Sequence, residues 1–559
     1  MIQFGWRAVA LVCLALARPA GAQSSPNAAA NRMGVGPALT PEQWRADVRV
    51  MALELERRHK NLYHTVTRER FAAAVADLDA RIPALERNQI IVGMMRLAAL
   101  VGDGHTNVSP LKDTKFGFPS LPLKLYLFDD GLHVRAAAPA HAALVGAKIT
   151  AIGGLPVDEA IRRATEISPR DNEITPTMYV PVFLGMPDIL HALGLSSTRD
   201  AAVLTLAKAG RSWTATVPAG AVEPSWPADT DISLVTPPGW VDARTTPQPP
   251  LWLQAPLDYH RLIDLPGQRA LYAQLNMVTG VEGQTLDQFG QRIRARAEVT
   301  NPRALILDVR LNRGGNMDLR FRFVRELIKS EDEDTRLFVL TWRGAFSATQ
   351  SLLDDLSRYT EAILIGEPAS SKPNAYGDSF RITLPNSGLT VRTSIRWHQI
   401  DDGDDPWTPI DVATPLTFAD YAAGHDPALD AALRYAPTAT LEERIVAAAR
   451  SGGVPEVGKA LTSYLADRSN RYADVEGQLL AASQRLADRE KRSEEALYVA
   501  QLATERFPRA VDAWSVLAHV GEAAGRLDVA RTAAARTLEL DPNNRWARSL
   551  VERLQSRTK

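Results

Sequence analysis

At 559 residues the chain is too long for one hydrophobic core, and two to four domains are expected. A hydrophobic fraction of 45% and a charged fraction of 23% are ordinary for a soluble globular protein. The formal net charge of −1 gives no footing for nucleic acid or an anionic membrane as a partner.

Arg7 and the apolar run Ala8 to Ala17 lead to Ala20-Gly21-Ala22, a small-x-small cleavage site, so residues 1–22 read as a signal peptide. The run is too short to span a bilayer, and no integral membrane span is expected once it is removed. The single cysteine, Cys13, lies inside it, so the mature chain is expected to hold no disulfide. Export to the periplasm or exterior follows. Residues 23–40 read as a flexible leader rich in Ser, Asn and Ala. Residues 41–110 read as a helical N-terminal domain, with helical spacing over Pro41 to His59, Phe71 to Leu85 and Gln89 to Leu100. His105 closes it in a glycine-flanked turn, where a histidine often does no more than bond backbone. Residues 118–220 read as β-rich, from short strands within Leu121 to Val134 and Leu144 to Val157 and the alternating stretch Ala202 to Val217. Residues 221–256 form a connector punctuated by Pro224, Pro227, Pro237, Pro238, Pro247, Pro249 and Pro250.

The next stretch organises the chain. Arg269 to Val278 starts a sheet, and Ala304 to Arg310, Leu337 to Thr341 and Glu361 to Glu367 are buried strands by their branched apolar runs. Amphipathic segments, Leu319 to Ile328 and Ser347 to Tyr359, alternate with them. Strand–turn–helix units of this kind build a parallel sheet with its chemistry at the carboxyl ends of the strands. Gly314-Gly315 and Ser347 fall there. A serine opening a helix is a favoured N-cap, which is its plain structural explanation. Lys372, 25 residues after Ser347, ends the next strand and is placed to fold back as a base for a serine nucleophile. The amides of Ala348 and of Gly314 or Gly315 can receive an oxyanion. Ser379 to Leu384 and Leu389 to Trp397 read as a hairpin around Pro385-Asn-Ser-Gly388, and Asp401 to Asp405 as a solvated turn.

Several of these segments carry a family resemblance. Asp308-Val-Arg-Leu-Asn-Arg-Gly-Gly315, Phe346-Ser-Ala348, Gly366-Glu-Pro368 and the Ser-to-Lys spacing resemble the tail-specific (C-terminal processing) and tricorn-like serine proteases. Val101-Gly-Asp-Gly-His-Thr106, Tyr272-Ala-Gln-Leu-Asn276, Lys372-Pro-Asn-Ala-Tyr-Gly377, Leu384-Pro-Asn-Ser-Gly-Leu389 and the run from Ala419 to Leu429 are similar to the same group. The resemblance spans roughly Trp44 to Tyr435. It implies an α/β core of the ClpP/crotonase type over residues 257–436. It also implies that Gly146-Ala-Lys-Ile-Thr-Ala-Ile-Gly-Gly154 belongs to a PDZ-like module. In the tail-specific branch a lysine serves as base, here Lys372; in the tricorn branch a histidine does, here His105. A glutamine usual four residues after that lysine is replaced by Tyr376. Of an acidic orienter late in the domain, Asp411 survives. Both are candidate orienters.

Residues 437–559 become rich in Ala, Arg and Glu and read as helical throughout. Pro508 and Pro542 are 34 residues apart, the tetratricopeptide period, and Trp514, Leu517, Ala518 and Ala530 fall on signature positions of that repeat. Ala496, Ala500 and Pro508 repeat the register of Ala530, Ala534 and Pro542. The expected architecture is therefore multidomain α+β: helical N-terminal domain, PDZ-like β-rich region, α/β protease core and α-helical tetratricopeptide-like C-terminus. The expected activity is that of an exported serine endopeptidase acting on proteins or peptides, without metal or organic cofactor. The alternative is a catalytically impaired protease-fold scaffold that binds peptides, or protein partners on the helical repeats. No Gly-x-Ser-x-Gly elbow, no His-Glu-x-x-His and no Gly-Lys-Ser/Thr after the glycine pair is present, which disfavours an α/β-hydrolase, a zinc peptidase and a phosphate loop.

Overall fold

The computed structural model describes residues 38–108, 118–220, 234–246, 248–331, 334–401 and 403–556. The expected signal peptide, nearly all of the leader and residues 221–233 of the proline-rich connector lie outside the described residues.

Helix α1 (Pro41–Arg58) starts where Thr40 and Gln43 exchange side-chain and backbone hydrogen bonds in a capping box with Pro41 at the first position. Helices α2 (Arg68–Arg81) and α3 (Arg87–Ala99) follow, and strand β1 (Asn107–Val108) comes directly after His105. An antiparallel sheet is built next from β2 (Leu123–Phe128), β3 (Gly131–Ala137), β4 (Lys148–Ile152) and β5 (Leu155–Pro156). Helices α4 (Val157–Thr165), α5 (Thr175–Leu184) and α6 (Pro187–Ala192) separate these from the hairpin β6 (Ala201–Lys208) and β7 (Arg211–Pro218). The strand order is β2-β3-β4-β6-β7, with β5 on β4. The connector is less irregular than its prolines imply. Its β8 (Val241–Asp242) pairs with β3, and the carbonyls of Leu234 and Val235 receive the buried Arg135 guanidinium. A buried arginine needs such acceptors, and an extended strap supplies them where a detached linker would not. Helices α1 to α6 and this sheet bury one continuous apolar cluster, from Val48 and Ile91 to Leu132 and Leu206.

The second layer is a six-stranded sheet. Its strands are β9 (His260–Leu265), β10 (Ala270–Leu275), β11 (Ala304–Asp308), β12 (Arg336–Thr341), β13 (Ile363–Gly366) and β16 (Val412–Ala413), in the order β16-β13-β12-β11-β10-β9. All pairs are parallel except β9 with β10. Strands β10 and β11 are buried along their whole length, as a sheet covered on both faces requires. Leu271, Ala273, Leu305 and Leu307 pack beneath α7 (Leu286–Thr300), α8 (Arg320–Ile328) and α9 (Ala348–Tyr359). Their neighbours Tyr272, Ala304 and Ile306 face α11 (Pro427–Leu433), which follows the short α10 (Phe418–Ala423). The hairpin β14 (Ala375–Thr383) and β15 (Thr390–His398) leaves this sheet and pairs with β1. Its Ile382, Leu384, Leu389 and Val391 are buried in the cluster of the N-terminal helices. The amides of Asn386 and Ser387 at its turn donate to Asp47 of α1.

Seven C-terminal helices, α12 (Leu441–Gly452), α13 (Val454–Ala466), α14 (Val475–Asp488), α15 (Ser493–Arg506), α16 (Val511–Ala523), α17 (Leu527–Leu540) and α18 (Arg545–Ser556), bury a core of their own. Small residues set its spacing. A methyl on Gly521 would stand 3.3 Å from the Ala530 Cα of the next helix. The layer docks through the turn between α13 and α14: Arg468 and Arg471 pair with Asp129, and the Ile410 amide donates to the Tyr472 carbonyl. Among the described residues no helix is long and apolar enough to cross a membrane.

Arg343 and Glu367 form a buried two-pronged ion pair at 2.7 Å, and Arg343 also donates to the Leu127 carbonyl of β2. The pair therefore joins the two layers. Glu367→Ala leaves a buried guanidinium without its counter-charge, and a loss of about 3–5 kcal/mol is expected in urea unfolding. A change under about 1 kcal/mol would mean that the layers do not depend on this pair.

Candidate active site

His105 comes from the first layer and Ser347 from the second, and His105 Nε2 stands 3.1 Å from Ser347 Oγ. The loop that carries His105 is wound around Asp103. One Asp103 carboxylate oxygen accepts the amides of His105 and Thr106 and the Ser394 hydroxyl; the other accepts from His59 Nε2 at 2.7 Å. His59 Nδ1 in turn accepts the Asn61 amide, which puts the His59 proton on Nε2. Burial pushes the Asp103 carboxyl up, but His59, Thr106 and Ser394 outweigh it and hold the group below the usual carboxylate range. Asp103 is therefore a fixed negative charge under the His105 loop.

Burial, opposed by the Asp103 charge, lowers the pKa of His105 below its ordinary value of 6.5. The ring is neutral near pH 7 and leans on Phe346, 4.6 Å away between centroids. Its Nδ1 has no partner of hydrogen-bond geometry among the described residues. The Tyr376 backbone and the charge of Asp378 are the nearby features that favour its protonated form.

Ser347 sits between β12 and α9 with φ 59° and ψ −125°, a strained conformation for a residue with a side chain. It is the N-cap position, but its side chain caps nothing and points at His105 instead. The Ser347 amide donates to Ser371 Oγ at 2.9 Å. Gly314, with φ +105°, packs against it: an added methyl would stand 2.8 Å from Ser347 Cβ and 3.1 Å from the Ala348 nitrogen. Only glycine fits there. Asn312 organises this turn, taking the Gly314 amide and the Thr349 hydroxyl on Oδ1 and donating to the Leu275 carbonyl. Gly314 is therefore not a free donor. Among the described residues the amides of Gly315 and Ala348 have no acceptor, and both residues line the cleft at Ser347.

Lys372 lines the same cleft, but its Nζ pairs with Asp404 at 3.1 Å. Tyr376 offers its backbone to His105, while its ring packs on His59, His64 and Trp397 and its hydroxyl accepts from Asn61. The expectation that Asp411 orients a catalytic histidine is corrected: its carboxylate accepts the Leu364 amide of β13, and its own amide donates to the Leu364 carbonyl. A sheet-edge bond holds it there, because a buried carboxylate needs a donor.

His59, His64 and Asp103 offer ligand atoms within 4.8 Å of one another, a spacing that a metal ion can bridge. The His59 proton on Nε2 commits that pair to a hydrogen bond, and burial pushes His64 down to about 4. Sequence reasoning did not single out His59, which holds Asp103, or Ser371, whose hydroxyl takes the Ser347 amide; the doublet Ser370-Ser371 was the signal available for the latter.

No family model matches the chain, and no curated protein matches it. Among solved structures it is similar to mature CPAF, with 12% identity, a TM-score of 0.46 and coverage of 69% of this chain and 94% of that one. It is also similar to the photosystem II D1 C-terminal processing protease, with 15% identity, a TM-score of 0.33 and coverage of 70% and 99%. A third similarity is to the tricorn protease, with 14% identity, a TM-score of 0.29 and coverage of 70% and 36%.

The His105 ring is expected to titrate below 6.5 in a proton–carbon correlation spectrum followed with pH. Asp103→Asn removes the charge that raises this pKa, so the inflection moves lower still; an upward move would contradict the electrostatics described here.

Proposed function

We propose that the protein is a serine-type peptidase that hydrolyses peptide bonds with a Ser347–His105 dyad. The observation that carries this reading is the 3.1 Å contact between a buried, neutral imidazole and a strained serine facing an open cleft. In the first half-reaction Ser347 Oγ attacks the scissile carbonyl and its proton passes to His105 Nε2. The carbonyl oxygen becomes an oxyanion facing the Gly315 and Ala348 amides. Collapse breaks the C–N bond, and His105 returns the proton to the leaving amine. Water then enters, gives a proton to His105 and attacks the acyl ester, and Ser347 recovers the proton as the acid leaves.

His105 is favoured over Lys372 as base for two reasons. The imidazole already touches the nucleophile, and the lysine is held by Asp404. Asp103 steadies the imidazolium through space. The PDZ-like sheet and the tetratricopeptide-like helices are read as surfaces for peptide or protein, and the chain as an exported protein. The orphaned His105 Nδ1 is what favours the second reading, a protease-fold scaffold that binds without turnover.

Intact-mass analysis after fluorophosphonate treatment decides between them. One adduct is expected on the wild type and none on Ser347→Ala. His105→Ala is expected to lower the labelling rate and peptide kcat by at least about 10⁴-fold. Lys372→Met is expected to stay within about threefold, since a half-exposed ion pair contributes little. The kcat/KM of the wild type is expected to rise with pH through an inflection below 6.5, as the base loses its proton. Binding of peptides with no adduct would establish the scaffold.

A further inference from the structure

The hairpin β14–β15 keeps one register from Ala375 opposite His398 to Thr383 opposite Thr390, and Asp378 is the one position that drops out of the pairing. Its φ is +53°, a left-handed value in the middle of a strand. Glycine would take that conformation without strain, and aspartate takes it at a cost. Gly377 stands opposite Arg396 and Ser379 opposite Ser394, so no inserted residue accounts for the distortion. In a regular strand position 378 shares a face with Tyr376 and Trp397, away from Arg396 and His398. Instead Asp378 Oδ2 lies 3.1 Å from Arg396 Nη1, and Oδ1 lies 3.9 Å from His398 Nε2. The left-handed backbone has moved the carboxylate to the face that lines the Ser347 cleft, where Asp378, Arg396 and His398 stand together. Gly377 beside it is close to the proposed base: an added methyl would stand 3.8 Å from His105 Cε1.

We propose that Asp378 is a specificity residue that receives a cationic side chain, lysine or arginine, of the peptide held over Ser347. The inference rests on the serine-dyad reading and names a substrate class for it: peptides with a basic residue near the scissile bond. The resting partner of Asp378 is easily displaced. The Arg396 and Asp378 side chains are 70% and 46% exposed, and an ion pair so open to water contributes little.

The charges around the cleft decide the sign of the preference. Two carboxylates line it, Asp318 from the turn after the glycine pair and Asp378 from the hairpin, against two cations, Lys372 and Arg396. Lys372 is paired with Asp404, which lies outside the lining, and Arg396 with Asp378. Asp318 donates its amide to Asn316, and its carboxylate has no ion-pair partner among the described residues. A cation brought by the peptide therefore meets one unmatched carboxylate and one weakly held one. An acidic side chain meets no unmatched cation.

The test measures kcat/KM on a peptide scanned with lysine, alanine and glutamate at each position on either side of the cleaved bond. At one of these positions the wild type is expected to favour lysine over alanine by about 10-fold, and alanine over glutamate. The preference is expected to shrink as salt screens it. Asp378→Asn removes the charge while asparagine tolerates the left-handed backbone, and the lysine-to-alanine ratio is expected to fall to within about twofold of unity. A ratio of two substrates cancels any effect on His105 that both share. Arg396→Gln carries the opposite sign: it releases Asp378, and the ratio is expected to rise about threefold. An unchanged ratio in Asp378→Asn, a fall in Arg396→Gln, or a wild type that favours glutamate would overturn the proposal. Fluorophosphonate labelling separates this from the dyad. A labelled wild type with no lysine preference at any position overturns the proposal alone, whereas no labelling overturns the dyad reading. In that second case, binding of the same peptides to Ser347→Ala by fluorescence anisotropy still decides the role of Asp378. Tighter binding of a lysine peptide that is lost on adding Asp378→Asn supports it, and equal binding of all three peptides overturns it.

Discussion

The hydrogen bond between His105 and Ser347 joins residues 242 positions apart in two separate layers, and the rest of the architecture can be understood as the means of keeping it at 3.1 Å. Side chains from independently packed elements drift unless the seam between them is itself packed and bonded. Here the seam is polar and buried. Asn172 ties the first layer to three carbonyls of the second, Ser394 of β15 donates to Asp103, and Arg343, in the turn after β12, reaches the Leu127 carbonyl. Buried polar groups of this kind are costly when unsatisfied, so each bond penalises any sliding of one layer over the other.

Around that bond the site holds its groups in states they would not adopt in water. Ser347 keeps a positive φ because Gly314 has no side chain to collide with it and because Ser371 and Gln350 take up its backbone amide and carbonyl. His105 stays neutral because burial outweighs the nearby Asp103 charge. Asp103 in turn stays charged because four donors converge on it. The backbone strain and the shifted protonation states are thus carried by neighbours outside the Ser347–His105 pair.

The C-terminal helices bury a cluster of their own. It is lined with alanine, and the helices reach the rest of the chain through Arg468, Arg471 and Tyr472. Because Asp129 and Ile410 belong to different layers, this docking clasps the sheet region to the core sheet from outside. A surface for a partner on these helices would therefore sit on an element that already touches both layers.

Much of the local structure is legible in the sequence. Buried parallel strands announce themselves as apolar runs, helices by their period and caps, and the hairpin at Pro385 to Gly388 by its turn residues, because these signals act over a few neighbouring residues. The glycine pair, Ser347, Lys372 and His105 could be named as candidates from residue type and position. Which of them meet could not. Whether Lys372 or His105 stands against Ser347, that Gly314 gives its amide to Asn312, that Asp411 turns to the Leu364 backbone, and that Asp171 takes the Gly104 amide were decided only by long-range packing. The reason is physical: each depends on a polar side chain finding a partner tens or hundreds of residues away, and such pairings leave no periodicity in the chain. The hairpin makes the same point for the fold, since its strands read plainly from sequence while its membership in the sheet of β1 was settled by where Ile382 and Val391 could be buried.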